Sequence, residues 1–166
     1  LRKTILALAA VSLMASAAGA MAQAQPGLNE RRAIATYEKE QYPALQKRIQ
    51  QAAGFEVPVD VDWNSIALPG DAEYYKQDDY FVKTIFEPIE AALVQVGKDD
   101  MGKAALKAKL KKINVKYAES GPAASAYRER VSFDGGVLTV NFRPYTNTAD
   151  VKDRTDAIVK VLEPAL

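Results

Sequence analysis

Nine consecutive residues constrain this chain more than any others. Phe55, Val57, Val59, Val61 and Trp63 alternate with Glu56, Pro58, Asp60 and Asp62. Successive side chains of a strand point to opposite faces, so this period of two predicts a half-buried strand with one apolar and one acidic face. Pro58 has no N–H to give to a ladder, which places the strand at a sheet edge or beside a bulge. A chain with such a segment needs a sheet to receive it and a core on one side of that sheet.

The flanking segments supply both. From about Asn29 to Ala53, Ile34, Tyr37, Leu45, Ile49 and Ala52 share one helical face, and Gly54 stands where a left-handed cap ends a helix. Pro43 interrupts this pattern and predicts a kink or restart near Tyr42. Leu68-Pro69-Gly70-Asp71 reads as a turn. A helix is expected from about Asp78 to Val96, bent at Pro88 and stopped at Gly97. The next starts at Asp99 or Asp100 and turns Ala105, Leu106 and Leu110 inward. Ile113, Val115 and Tyr117 then alternate as a strand. Segments from about Tyr127 to Phe133 and from Val137 to Arg143 form a hairpin through Asp134-Gly135-Gly136. A last helix opens near Asn147 or Thr148 and buries Val151, Ile158 and Leu162. The order α-β-α-α-β-β-β-α implies one α+β domain, a small, mainly antiparallel sheet of about four strands packed with about four helices. Strands that alternate argue against a doubly wound parallel sheet, whose strands read as continuous apolar runs.

The fold reading starts at residue 25. Arg2 and Lys3 precede an apolar and small-residue stretch from Thr4 to Ala18, and Ala20-Met21-Ala22 and Ala22-Gln23-Ala24 are small-x-small cleavage sites. These are the parts of a secretory signal peptide over 1–24, cleaved to leave a single domain over 25–166. No twin arginine is present, so export by the general secretory route to the periplasm or beyond the cell is expected, with no stable membrane anchor afterwards. Cleavage removes Arg2 and Lys3 and turns a formal net charge of +1 into −1. A near-neutral domain gives no global reason to expect nucleic acid or an anionic membrane as partner.

Composition closes several chemistries. The 166 residues include no Cys and no His, which excludes a disulfide framework, a thiol nucleophile, Cys-ligated metals and every Ser–His or Cys–His catalytic arrangement. Ser65, Ser120, Ser125 and Ser132 lie in neither G-x-S-x-G nor S-x-x-K. No cofactor is expected.

Four constellations remain as candidate binding residues. Glu56, Asp60 and Asp62 share the acidic strand face, with Asp60 and Asp62 about 7 Å apart at two strand rises. Such a row suits a hard cation, the two carboxylates of a glycan hydrolase, or a solvated edge whose charges discourage edge-to-edge pairing. Lys103, Lys107 and Lys111 repeat every four residues in a stretch with no acid between Met101 and Ala118, a basic stripe for an acidic surface or simply a solvated helix face. Arg143, Tyr145 and Asn147 cluster where the last hairpin strand turns into the last helix, placed for an anion or for capping alone. Trp63, Tyr74, Tyr75, Tyr80 and Phe81 surround the Pro69-Gly70 loop and, where exposed, suit stacking on sugars or anchoring a partner; Trp63 and Phe81 stand in core phase, and Tyr74 and Tyr75 are the ones expected to be exposed.

Two functions are compatible with this inventory. One is a small exported, non-catalytic binding protein of the bacterial envelope, of the inhibitor or immunity type, that engages another envelope or secreted protein. The other is a carboxylate-dependent hydrolase or lyase acting on an envelope glycan, with Asp60 or Asp62 as acid or base. The second requires those carboxylates to line a concave pocket.

Overall fold

A computed structural model of the chain describes residues 25–77 and 79–166. The expected signal peptide over 1–24 lies outside the described residues. No helix among the described residues is long and apolar enough to cross a membrane.

Helix α1 (Leu28–Glu40) ends one residue before α2 (Tyr42–Ala53), and Pro43 sits in the first turn of α2, where its missing N–H costs nothing. Gly54 closes α2 at φ 82°, donating its N–H to the carbonyls of Gln50 and Gln51. Strand β1 (Val59–Val61) is shorter than the nine-residue alternation. Phe55 and Val57 precede it, and Trp63 opens a short helical turn, α3 (Trp63–Ile66). After a 3-10 turn at Tyr74–Lys76, one continuous helix is built from α4 (Asp79–Phe81), a π-helical segment (Val82–Phe86) and α5 (Glu87–Val96). The expected bend at Pro88 takes the form of this wider register. An ordinary α-turn would drive the Pro88 ring against the Thr84 carbonyl, and the π-turn, in which the Glu87 N–H reaches Val82 O, moves it away.

Asp99 caps α6 (Asp100–Lys109) by accepting from the Gly102 N–H at 2.8 Å. Strand β2 (Lys112–Val115) follows. A 3-10 turn at Tyr127–Arg130 leads into β3 (Val131–Asp134), and Gly135 and Gly136 turn it back into β4 (Val137–Val140). Both glycines have positive φ, 57° and 89°, as a two-residue hairpin turn demands. The Gly136 carbonyl accepts the N–H groups of Lys111 and Lys112, and a Cβ at Gly136 would stand 2.7 Å from Lys109 O. The last helix, α7 (Val151–Leu162), begins later than the sequence predicts.

The sheet corrects the expectation of mainly antiparallel pairing. Its strand order is β1-β2-β4-β3, with β1–β2 and β2–β4 parallel and β3–β4 alone antiparallel. The element order also differs, because the first helix is two and short helical turns intervene after β1. Val59, Ile113, Val115, Leu138, Val140 and Val131 form the buried face and join one core with the helices. On the other face Asp60, Lys116, Ser132 and Asp134 are exposed and Lys112, Asn114 and Thr139 partly so. Parallel strands alternate here because only one face of the sheet is covered. Pro58 fits the β1 edge, where its carbonyl accepts from the Ile113 N–H at 2.9 Å. On the outer side of β1 the Tyr42 hydroxyl donates to Val59 O at 3.1 Å and Gln50 Nε2 donates to Val57 O, so α2 screens that edge. Burial and the nearby carboxylates of Asp60 and Glu38 push the Tyr42 phenol up to about 12.

Candidate functional site

The charged candidates lie apart from one another. Glu56 is exposed and precedes β1. Asp60 is exposed on the open sheet face and forms an ion pair with Lys112. Asp62 is exposed and caps α3, its Oδ1 accepting from the Ser65 N–H at 3.1 Å. Among the described residues no group of three or more His, Cys, Asp or Glu is placed to hold a metal ion. Lys103 and Lys107 are exposed on α6, and Lys103 pairs with Asp100 at 3.6 Å. Lys111 is exposed beyond the end of α6, tied by its backbone to the hairpin turn, so the stripe does not continue along one helix.

The aromatic candidates converge. Tyr74 and Tyr75 are adjacent in the 3-10 turn and point in opposite senses. Tyr74 is 38% exposed, whereas Tyr75, expected at the surface, is 3% exposed. The physical reason is a core slot: the Tyr75 ring stacks on Phe81 at 5.1 Å with a 13° interplanar angle, and its hydroxyl donates toward the carbonyls of Leu68 and Ile66. Burial, with Asp71 and Glu30 nearby, raises the Tyr75 phenol well above its ordinary value. Tyr74 instead packs at the surface with Tyr80, from the start of the long helix, at 4.8 Å, and with Tyr145, from the far end of the chain, at 5.5 Å and 26°. Tyr80 and Tyr145 are 5.9 Å apart. Tyr74, Tyr80 and Tyr145 thus form a tyrosine platform supported by Tyr75 and Phe81, which lie 5.3 and 5.2 Å from Tyr145. These separations are those of attractive edge-to-face and offset ring pairs.

Tyr145 reaches this position at a local cost. Its φ is 63°, a left-handed conformation that crowds Cβ against the following carbonyl, and its hydroxyl oxygen is enclosed without a hydrogen-bond partner. Asn147 follows with φ 53°. It does not cap the last helix as expected; the chain makes a further turn, with the Asp150 N–H on Asn147 O, before α7 starts. The Asn147 side chain donates to the Tyr127 hydroxyl at 3.4 Å, and that hydroxyl donates to Asp150 Oδ2 at 2.8 Å. Burial and the Asp150 hydrogen bond raise the Tyr127 phenol.

Beneath the loop lies Arg154, 1% exposed, which donates from Nη1 to Asn147 O at 2.7 Å and from Nη2 to Thr146 O at 2.5 Å. Its guanidinium sits over the Tyr127 ring at 4.6 Å. Burial lowers its pKa, yet an arginine remains charged. Arg143 is half-buried at the start of the same loop, and its charge acts on Asp71 beside the Tyr74 turn. Glu30 of α1 holds that turn by accepting from the Gly70 N–H at 3.1 Å. Sequence reasoning missed Arg154, because an arginine on a helix reads as a surface residue, and it named Tyr80 among the mid-chain aromatics without singling it out as a binding residue.

Three clefts are described. One of about 580 Å³ runs between α1 and the segment at 72–75. One of about 390 Å³ lies at the hairpin turn beside Lys109 and Lys111, and one of about 210 Å³ lies on the open sheet face around Lys116, Glu129 and Asn141. Glu56, Asp60 and Asp62 line none of them. Comparison of the chain with protein-family models, with curated proteins and with solved structures finds no match.

Proposed function

We propose that this protein is a small exported, non-catalytic binding protein of the bacterial cell envelope, and that it engages another envelope or secreted protein through the tyrosine platform. The observation that carries the reading is Tyr145, set in left-handed backbone with an unpaired hydroxyl so that its ring completes a surface cluster with Tyr74 and Tyr80. Backbone strain in a non-glycine residue persists only where the surroundings enforce it, and it concentrates at functional sites. Clustered, pre-positioned tyrosines are the side chains that dominate protein interfaces, giving large contact area at small entropic cost. Glu56, Asp60 and Asp62 line none of the three described clefts, which favours this reading over the glycan hydrolase.

The test is capture of a partner from envelope extract followed by titration of the purified pair. Tyr74→Ala should weaken binding by about 2 kcal/mol or more, as loss of a central aromatic does, while the melting temperature changes little. The triple substitution of Lys103, Lys107 and Lys111 by Glu serves as the comparison. If the lysine variant loses the partner and Tyr74→Ala keeps it, the recognition face is the basic stripe and the platform reading fails.

A further inference from the structure

None of Tyr74, Tyr80 and Tyr145 lines the largest described cleft, and two opposite charges stand along its α1 wall. One wall is α1, which contributes Asn29, Arg32 and Glu40; the facing segment contributes Glu73, and Tyr37 and Tyr75 form the floor. Both floor rings are buried and rest on Phe81, at 5.0 and 5.1 Å, so the floor is aromatic and fixed. None of the described ion pairs engages Arg32 or Glu40, and both are exposed. Glu40 is the last residue of α1, where a carboxylate meets the negative end of the helix dipole. That placement is unfavourable for the empty helix and favourable once a cation arrives.

Eight helical residues separate Arg32 from Glu40, a span of about 12 Å at 1.5 Å per residue. An extended peptide advances about 3.3–3.6 Å per residue, so three or four residues cover the same span. A volume of about 580 Å³ lies within the usual range of small-ligand sites.

We propose that this cleft binds a short zwitterionic peptide of three or four residues, its terminal carboxylate on Arg32 and its terminal ammonium at Glu40, with its backbone running along α1 between that helix and the segment at 72–75. The polarity follows the helix: the ligand carboxylate lies toward the N-terminal half of α1 and its ammonium at the C-terminal end.

Titration calorimetry of the purified protein with alanine peptides of two to six residues tests this. Affinity should peak at three or four residues. Amidation of the C-terminus and acetylation of the N-terminus of tetraalanine should each weaken binding about tenfold, the scale of one charge-assisted contact. Arg32→Gln should become indifferent to amidation while still penalising acetylation, and Glu40→Gln the reverse. Both variants should fold, since both side chains are exposed, and Glu40→Gln should melt no lower than the parent. Absence of binding by every peptide overturns the proposal, as does equal binding of the free and doubly blocked peptides. Tyr74→Ala should leave peptide affinity unchanged, so a failed platform and a failed cleft give different results.

Discussion

Two loops of this protein are each fastened by a buried arginine, and the two fastenings differ. Arg130, 4% exposed at the end of the 3-10 turn before β3, uses all three guanidinium nitrogens: Nε donates to Ala123 O, Nη1 to Ala118 O and Asn141 O, and Nη2 to Pro122 O. Arg154 uses two nitrogens on two carbonyls and leaves Nε buried without a partner. Each guanidinium faces an aromatic ring, Tyr117 for Arg130 and Tyr127 for Arg154. The loop held by Arg130 has one residue at positive φ, Gly121, whereas the loop held by Arg154 carries Tyr145 and Asn147 in that region. The first is a satisfied structural closure. The second holds strained backbone in place, and the strained backbone presents the platform.

Removing Arg130 should therefore have the largest effect. Arg130→Met orphans three carbonyls at once, those of Ala118, Pro122 and Asn141, since Ala123 O keeps the Ala126 N–H, and at about 1 kcal/mol for each acceptor the cost is about 3 kcal/mol. Urea unfolding measures it. Arg154→Met orphans one carbonyl, that of Thr146, since Asn147 O keeps the Asp150 N–H, and relieves one buried donor, for about 1 kcal/mol by the same reasoning. Its distinguishing effect is local: amide exchange across 144–150 should accelerate and partner binding should fall, while the Arg130 variant under native conditions keeps the platform. If Arg154→Met costs as much global stability as Arg130→Met, or leaves the 144–150 amides protected, the contrast between the two loops is wrong.

The same contrast explains what the amino-acid order could reveal. Features decided within a few residues were readable: the Gly135-Gly136 turn, the Gly54 cap, the restart at Pro43 and the edge position forced by Pro58. Each rests on a backbone angle or a missing donor that one residue type supplies. Strand direction was not readable, because β1 and β2 are joined by some fifty residues, and alternation records which faces are covered but not which way a neighbour runs. The platform was half readable. Tyr74 and Tyr145 each stood out as candidates, but nothing local indicates that residues seventy positions apart stack, or that Tyr75 faces inward onto Phe81. Asn147 misled because Asn is favoured both as a helix cap and in left-handed turns, and only the position of α7 separates the two. Arg154 was hidden by its own chemistry, since a guanidinium is buried only when carbonyls and rings from distant segments receive it.

The smallest effect tests the outer attachment of the platform loop. The charge of Arg143, at the start of the Tyr145 loop, acts on Asp71 beside the Tyr74 turn. Burial raises the Asp71 carboxyl above its ordinary value, with Arg143 opposing and Glu30 adding to the rise. The folded state consequently holds this proton more tightly than the unfolded chain does. Its stabilising contribution is complete below the unfolded value near 3.9 and is lost as pH rises through the folded one. At neutral pH the ionised group is a small burden, lightened by solvent contact and by Arg143. Asp71→Asn should then raise the urea midpoint slightly at pH 7 and leave it unchanged at pH 3. A lower midpoint at pH 7 would mean that the Arg143 attraction outweighs the burial of the carboxylate. The loop would then have an outer electrostatic clasp as well as Arg154, and the contrast with the Arg130 loop would narrow.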